Sequence, residues 1–168
     1  VLFRSILEKH ERQSGIIYCA SVDNVMRVYE LLKRKKYKVT YYYGELNEEE
    51  KKKNYHSFLH NEKLIMVSTN AFGMGIDKED IRFVLHFDMS KDLEGYYQEI
   101  GRAGRDGEES ECVLYYTPSD AGIFQGMIHT QFQESPYEKK IKDIIFQLAE
   151  KRLQSMVSYA EAGADMNS

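Results

Sequence analysis

Short apolar runs alternate with amphipathic segments along most of the chain. Runs rich in β-branched and aromatic residues predict five strands, at residues 16–20, 39–43, 64–67, 83–87 and 112–116. Between the first two, Val25, Val28 and Leu32 recur at the spacing of one helix face. Apolar strands that alternate with helices are typical of a buried, mostly parallel sheet. The pattern therefore predicts an α/β fold with helices on both faces of the sheet.

Polar residues mark where several helices begin. Asn47, with Glu50 three residues later, is typical of a helix N-cap. Asp92 is expected to cap a helix that continues to residue 105. From residue 136 onward the spacing of apolar residues predicts one long amphipathic helix. We therefore expect two domains, an α/β domain over 1–134 and a helical extension over 135–168.

The composition is that of an ordinary globular protein. With 168 residues, of which 42% are hydrophobic and 30% charged, the chain can bury a sizeable core. No apolar run approaches the ~18 residues of a membrane-spanning helix, so we expect no membrane association. The first residues do not resemble a signal peptide, and the missing initial Met indicates a fragment of a longer protein.

The net charge limits the kinds of nucleic-acid-binding surface that the chain can have. The net charge of −4 argues against a uniformly basic nucleic-acid-binding protein, although a groove needs only local positive charge.

Cys19 and Cys112 lie in apolar runs, which predicts two buried and reduced cysteines. Neither the cysteines nor the histidines have metal-ligand spacing, so the sequence predicts no metal site.

The segment 98–107, with the sequence QEIGRAGRDG, carries the strongest functional signal. On the predicted helix, Gln98, Arg102 and Arg105 fall at i, i+4 and i+7, which places them on one face. Two forked guanidinium groups in register suit a polyphosphate whose charge changes during a reaction. For these arginines alone, the alternative is a helix end where they offset the dipole and pair with nearby carboxylates.

A second segment, residues 68–78 with the sequence STNAFGMGIDK, follows a predicted strand. Thr69 and Asn70 can donate to phosphate oxygens. Gly75 can expose backbone N–H groups to an anion, and Asp77 can accept from a ribose hydroxyl. The dinucleotide fingerprint G-x-G-x-x-G is excluded, because a lysine occupies the third glycine position. The alternative is a glycine loop that precedes a helix cap.

Together these motifs resemble the RecQ family of superfamily 2 DNA helicases. Residues 98–107 are similar to motif VI and residues 68–78 to motif V of that family. Residues 14–21, a predicted strand that leads to Ser21, are similar to motif IV. The motifs occur in the family's order, and the resemblance covers about residues 14–159. It implies the second RecA-like domain of an ATP-dependent DNA helicase, with a three-layer sandwich fold.

The resemblance implies roles at the nucleotide. Arg105 would be the principal arginine finger toward the γ-phosphate of ATP, and Arg102 a phosphate partner. Gln98 would position the two arginines. Asp77 and Gly75 would face the nucleotide. These residues would complete an ATP site that another domain holds.

The resemblance also implies contacts with the DNA backbone. Thr69 and Ser21 would bind phosphate, and Asn70 would assist them. The chain departs from the family at residues 41–46, where many members have Tyr-His-Ala-Gly-Leu. Here Tyr43 replaces the histidine, so a DNA contact from that histidine does not carry over.

Two motifs that an ATPase needs are missing from the chain. It has no G-x-x-x-x-G-K-[ST] phosphate cradle and no Asp-Glu-x-His motif for magnesium. We therefore expect ATP and Mg²⁺ to bind mainly to the parent's N-terminal RecA-like domain, and this chain alone to be inactive. That domain, single-stranded DNA and duplex junctions are the expected partners. The family's zinc subdomain would follow the helical extension.

Two alternatives stay open. The chain could belong to another superfamily 2 enzyme, such as a DEAD-box RNA helicase, although these usually carry His-Arg-x-Gly-Arg-x-Gly-Arg where Gln98 begins the string here. It could also be a module that clamps DNA or a protein without catalysis. The sequences of residues 47–61 and 99–112 resemble those of bacterial RecQ members. This favours a cytoplasmic location at the nucleoid over a nuclear one.

Overall fold

The computed structural model describes residues 2–72, 76–115, 118–134 and 139–166. The helices are α1 (Leu2–Lys9), α2 (Val22–Arg34), α3 (Glu48–Leu59), α4 (Leu93–Ile100), α5 (Pro118–Glu134) and α6 (Lys139–Met166). The strands are β1 (Ser14–Tyr18), β2 (Val39–Tyr42), β3 (Ile65–Ser68), β4 (Ile81–His86) and β5 (Glu111–Leu114). All five predicted strands are present, with ends shifted by no more than two residues.

The strands form one sheet in the order β2-β3-β1-β4-β5. β1 pairs in parallel with β3 and with β4, and β2 pairs in parallel with β3. In this register Tyr18, the last residue of β1, lies opposite both Ser68 and His86. The carboxyl ends of these strands therefore meet along one side of the sheet, which we call the carboxyl edge. The predicted α/β fold with a mostly parallel sheet is confirmed.

Helices cover both faces of the sheet. Every residue of β1 and β3 is buried, which requires cover on both sides. On one face, Phe58 of α3 is fully buried in the main apolar cluster. On the other face, Phe83 of β4 contacts the ring of His10, which follows α1, and Tyr41 of β2 contacts Tyr29 of α2. The result is the three-layer sandwich that the resemblance implied.

Side-chain caps begin the helices where the sequence predicted them. The side chain of Asn47 accepts the N–H of Glu50 at 2.8 Å and so caps α3. The Oδ1 atom of Asp92 accepts the N–H of Gly95 at 2.7 Å at the start of α4. Each cap satisfies a backbone donor that the first turn of a helix leaves without a partner.

The end of α4 differs from the prediction. The helix stops at Ile100 instead of continuing to residue 105, and residues 101–106 form turns. Gly104 has a φ of 63°, in the left-handed region. Its N–H donates to the carbonyl of Ile81 on β4 at 2.9 Å. A contact with the sheet therefore replaces the next helical hydrogen bond.

The two cysteines lie in different environments. Cys19 directly follows β1 and is buried, as predicted. Cys112 lies on β5 and is exposed, so its predicted burial is wrong. The physical reason is its position in the sheet, because β5 is an edge strand with a neighbour on one side.

The chain divides into two compact units. The first comprises Val1–Phe87 and Gln98–Val113, and it contains β1–β4 with α1, α2 and α3. The second comprises Asp88–Tyr97 and Leu114–Ser168, and it contains α5 and α6. Within the second unit, the buried apolar residues of α6 lie in its second half and are Leu153, Met156, Val157 and Ala160. Of the helices that the structure describes, none is both long and apolar enough to cross a membrane.

The predicted boundary between 1–134 and 135–168 falls beside residues 135–138, which lie outside the described residues. The division into these two domains stays a prediction.

Candidate functional site

The carboxyl edge brings the predicted DNA-binding residues to one side of the sheet. Thr69 directly follows β3, and Ser21 follows β1 by three residues. The strand pairing continues into these loops, because the N–H of Cys19 donates to the carbonyl of Ser68 at 2.8 Å. Loops at the carboxyl ends of parallel strands are where α/β proteins bind their ligands. The predicted DNA-binding residues therefore lie where α/β proteins commonly bind ligands, and their role stays a prediction.

Ser21 is exposed and caps α2. Its Oγ accepts the N–H of Asn24 at 3.2 Å, at the start of the helix. The same hydroxyl can donate its proton to an anion, and the helix N-terminus adds positive potential there. Ser21 can therefore bind a phosphate oxygen without losing its role as a cap.

Thr69 and Asn70 differ in how firmly the fold holds them. The N–H of Thr69 donates to the carbonyl of Tyr42 on β2 at 3.3 Å, and its Oγ1 accepts the N–H of Ala71 at 3.4 Å. Thr69 is half-buried, whereas Asn70 beside it is exposed. The loop therefore offers one fixed hydroxyl and one solvent-facing amide.

Two residues of this loop are predicted to face the nucleotide. Gly75 lies outside the described residues, and Asp77 is exposed. Directly after Asp77, Lys78 is buried, and its Nζ lies 2.8 Å from Oδ1 of both Asn61 and Asp80. These bonds fix the backbone beside Asp77 and leave its carboxylate in solvent.

The predicted placement of Gln98, Arg102 and Arg105 on one helix face is wrong. Gln98 lies in the last turn of α4, whereas both arginines follow the helix in the turns at 101–106. Gln98 and Arg105 are exposed, and Arg102 is half-buried. The three residues still belong to one compact unit.

Backbone carbonyls orient Arg105. Its Nε donates to the carbonyl of Gly101 at 3.2 Å, and its Nη1 donates to the carbonyl of Ile76 at 3.1 Å. Both acceptors are uncharged, so these bonds orient the guanidinium without neutralising it. An oriented, charged and exposed guanidinium is suited to bind a phosphate oxygen.

The carboxylate next to Arg105 is engaged elsewhere. Asp106 pairs with Arg82 at 2.5 Å, and Arg82 also donates to the carbonyl of Glu109 at 3.1 Å. The hydrogen bond from Arg82 lowers the pKa of Asp106. The alternative in which the motif arginines pair with nearby carboxylates therefore does not hold for Asp106.

Tyr18, the last residue of β1, is influenced by both arginines. Its hydroxyl is buried and donates to the carbonyl of Phe72 at 3.3 Å. Burial raises the pKa of this hydroxyl, and the positive charges of Arg102 and Arg105 oppose the rise. Both arginines therefore lie close enough to the end of β1 for their charges to act on this hydroxyl.

Two functional candidates, His86 and Glu99, were missed by the reasoning from sequence. The Nε2 of His86 donates to Oε2 of Glu99 at 2.5 Å, and both residues are buried. The ring of His86 also stacks on Tyr18, with centroids 5.2 Å apart. The available signals were a histidine at the end of an apolar strand and a carboxylate inside the arginine motif.

The candidate residues carry groups that are suited to bind phosphate. They offer two guanidinium groups, the hydroxyls of Ser21 and Thr69, and an exposed carboxylate at Asp77 that could accept from a sugar hydroxyl. In the part of the chain that the structure describes, no group of three or more His, Cys, Asp and Glu residues could hold a metal ion.

Comparison with known proteins gives a family match. Residues 1–107 match the family described as "Helicase conserved C-terminal domain". The ATP-dependent DNA helicase RecQ of Bacillus subtilis is 42% identical over 153 residues, which are 91% of this chain and 24% of that protein. The ATP-dependent DNA helicase hus2/rqh1 of Schizosaccharomyces pombe is 43% identical over 129 residues, 76% of this chain and 10% of that protein. The chain thus spans about a quarter or less of these relatives.

A solved structure shows the same fold. The structure of Saccharomyces cerevisiae Dbp5 bound to RNA and ADP BeF3 aligns with 90% of this chain and 41% of its own, with a TM-score of 0.63 and 19% identity. This likeness concerns the fold. The family match and the RecQ relatives concern the sequence, and together they show that the chain belongs to the helicase conserved C-terminal domain family and is a RecQ-type member of it.

Proposed function

We propose that this chain is the second motor domain of a RecQ-type, ATP-dependent 3′→5′ DNA helicase. One observation carries the proposal: Arg105 is exposed, charged and held by the uncharged backbone carbonyls of Gly101 and Ile76. The chain itself has no phosphate cradle, so this arginine is suited to a nucleotide that another domain binds. The parent's N-terminal RecA-like domain would hold that ATP together with Mg²⁺.

Arg105 would act as the arginine finger and Arg102 as a second phosphate contact. In the transition state of phosphoryl transfer, charge spreads over the γ-phosphate oxygens, and a guanidinium placed there stabilises it. Phosphate oxygens would replace the carbonyls of Gly101 and Ile76 as acceptors for Arg105. Asp77, with the glycine at position 75, would face the nucleotide from the same domain.

Ser21, Thr69 and Asn70 would contact the backbone of single-stranded DNA. Their donors are hydroxyl and amide groups, which bind phosphate without reading the bases. Opening and closing of the cleft between the two motor domains would then move them along the strand. The parent would act on single-stranded DNA and duplex junctions, in the bacterial nucleoid or in a nucleus.

The arginine finger can be tested in the full-length parent. Arg105→Ala should lower DNA-stimulated ATP hydrolysis by about 10³–10⁵-fold, because transition-state charge loses its partner. Binding of a fluorescent ATP analogue should change little, since the other domain holds the nucleotide. Arg27→Ala is the control, because Arg27 is exposed on α2 and lies outside the arginine motif.

Two results would contradict the proposal. Turnover near wild type in the Arg105→Ala parent would exclude the finger role. The isolated chain should hydrolyse ATP no faster than buffer, so DNA-stimulated hydrolysis by the purified chain would refute the idea that it is half of a motor. A parent that binds DNA but never hydrolyses ATP would instead favour the non-catalytic binding module.

A further inference from the structure

The last turn of α4 is anchored to the sheet by a buried carboxylate–imidazole pair. Oε2 of Glu99 lies 2.5 Å from Nε2 of His86 at the carboxyl end of β4. The residues are 9% and 1% exposed, respectively, so water screens the interaction weakly. A short, buried and charge-assisted hydrogen bond of this kind fixes the relative position of the two backbones that carry it.

This anchor is directly connected to Arg102, and through Tyr18 it lies close to Arg105. The N–H of Arg102 donates to the carbonyl of Glu99 at 3.3 Å, so the turn that carries Arg102 starts on the anchored residue. His86 stacks on Tyr18, and the positive charges of both guanidinium groups oppose the rise that burial causes in the pKa of the Tyr18 hydroxyl. Glu99, His86 and Tyr18 thus form a continuous buried set of contacts at the ends of β1 and β4, from which the arginine turn begins.

We propose that Glu99 and His86 are positioning residues for Arg102 and Arg105. The inference rests on the proposed function of the arginines and adds the residues that determine where they point. Gln98, to which the resemblance gives this role, is exposed, whereas its neighbour Glu99 is buried against the sheet. The hydrogen bond between Glu99 and His86 sets where α4 ends, and hence where the two guanidinium groups leave the domain surface.

The expected loss of rate follows from how strongly catalysis depends on the position of the arginines. Displacing a catalytic group by about 1 Å costs on the order of 100-fold in rate. In the full-length parent, Glu99→Ala should therefore lower kcat for ATP hydrolysis by about 10–100-fold. The KM for ATP should stay within about threefold, because transition-state contacts and not ground-state binding are lost.

Two further variants separate positioning from general stability. Glu99→Gln keeps an oxygen that can accept the N–H of His86, so it should recover most of kcat. Glu111→Ala removes a second Glu–His pair, in which Oε2 of Glu111 lies 2.8 Å from Nε2 of His10, on a strand that does not carry the arginines. It should lower thermal stability and leave kcat unchanged.

A spectroscopic readout on the isolated chain does not depend on catalysis. The Nε–H resonance of Arg105 reports its hydrogen bond to the carbonyl of Gly101. This resonance should shift or broaden in Glu99→Ala and stay in place in Glu111→Ala. An unchanged resonance together with an unchanged kcat in Glu99→Ala would overturn the inference. If Arg105→Ala itself retained turnover, the proposed finger would fail, while the resonance would still decide the positioning role.

Discussion

Gly104 lies between the two arginines, and replacing it with alanine should destabilise the fold strongly. Two costs add at this position. Its φ of 63° is left-handed, which costs an alanine about 1–2 kcal/mol. A Cβ would also lie 2.9 Å from the carbonyl oxygen of Glu108 and 2.7 Å from Oγ of Ser110, so the turn must move. Crowding of this kind costs about 1–3 kcal/mol, which gives a total of about 2–5 kcal/mol.

The same loop provides a matched control. Gly107 has a φ of 82°, but no atom lies within 4 Å of the Cβ that an alanine would add. Gly107→Ala should therefore show the conformational cost alone, about 1–2 kcal/mol. Urea denaturation of the isolated chain, followed by far-UV circular dichroism, measures both free energies of unfolding.

The difference between the two variants tests the reasoning. If Gly104→Ala cost no more than Gly107→Ala, the crowding against Glu108 and Ser110 would have no energetic weight. Adding Ser110→Gly to Gly104→Ala should restore part of the lost stability, because it removes the Oγ atom that lies closest. No recovery would show that the carbonyl of Glu108 accounts for the whole clash.

Two further predictions concern stability. Gly15→Ala should lower the free energy of unfolding in urea by about 3 kcal/mol or more, because the added Cβ would lie 2.1 Å from ring carbons of Phe83. A decrease below about 1 kcal/mol would show that the ring moves away freely. Glu111 has a lowered pKa, chiefly because of its hydrogen bond with His10. The ionised carboxylate therefore stabilises the fold at pH values above the ordinary carboxyl pKa of 4.5, and this contribution is lost as the pH falls through the lowered pKa. Stability measured from pH 6 to about pH 2 should therefore fall less in Glu111→Gln than in wild type, and equal slopes would contradict this assignment.

The strands and helix starts were predictable because their causes are local. A buried parallel strand is an apolar run, and the caps at Asn47 and Asp92 depend on residues three positions apart. The end of α4 was not predictable in this way. It depends on a hydrogen bond from Gly104 to Ile81 on β4, a residue that no pattern within the helix identifies.

The site was predictable in its residues and only partly in its geometry. The motif strings located the arginines, because two glycines and two arginines at fixed spacing are rare together. The pairing of His86 with Glu99 depends on how β4 and α4 pack, so sequence spacing alone does not indicate it. The exposure of Cys112 has a similar origin, since an apolar run does not show whether its strand lies at the edge of the sheet.

The central position of β1 in the sheet has a consequence for how the chain folds. β1, at Ser14–Tyr18, comes well before both of its neighbours in the chain, which are Ile65–Ser68 and Ile81–His86. Folding is slow when such long loops must close, because the chain loses conformational entropy before the strands gain their pairing. During synthesis the apolar β1 stays unpaired on both sides until β3 and then β4 have emerged from the ribosome. In the nascent chain this strand is therefore open to aggregation and to chaperone binding during that interval.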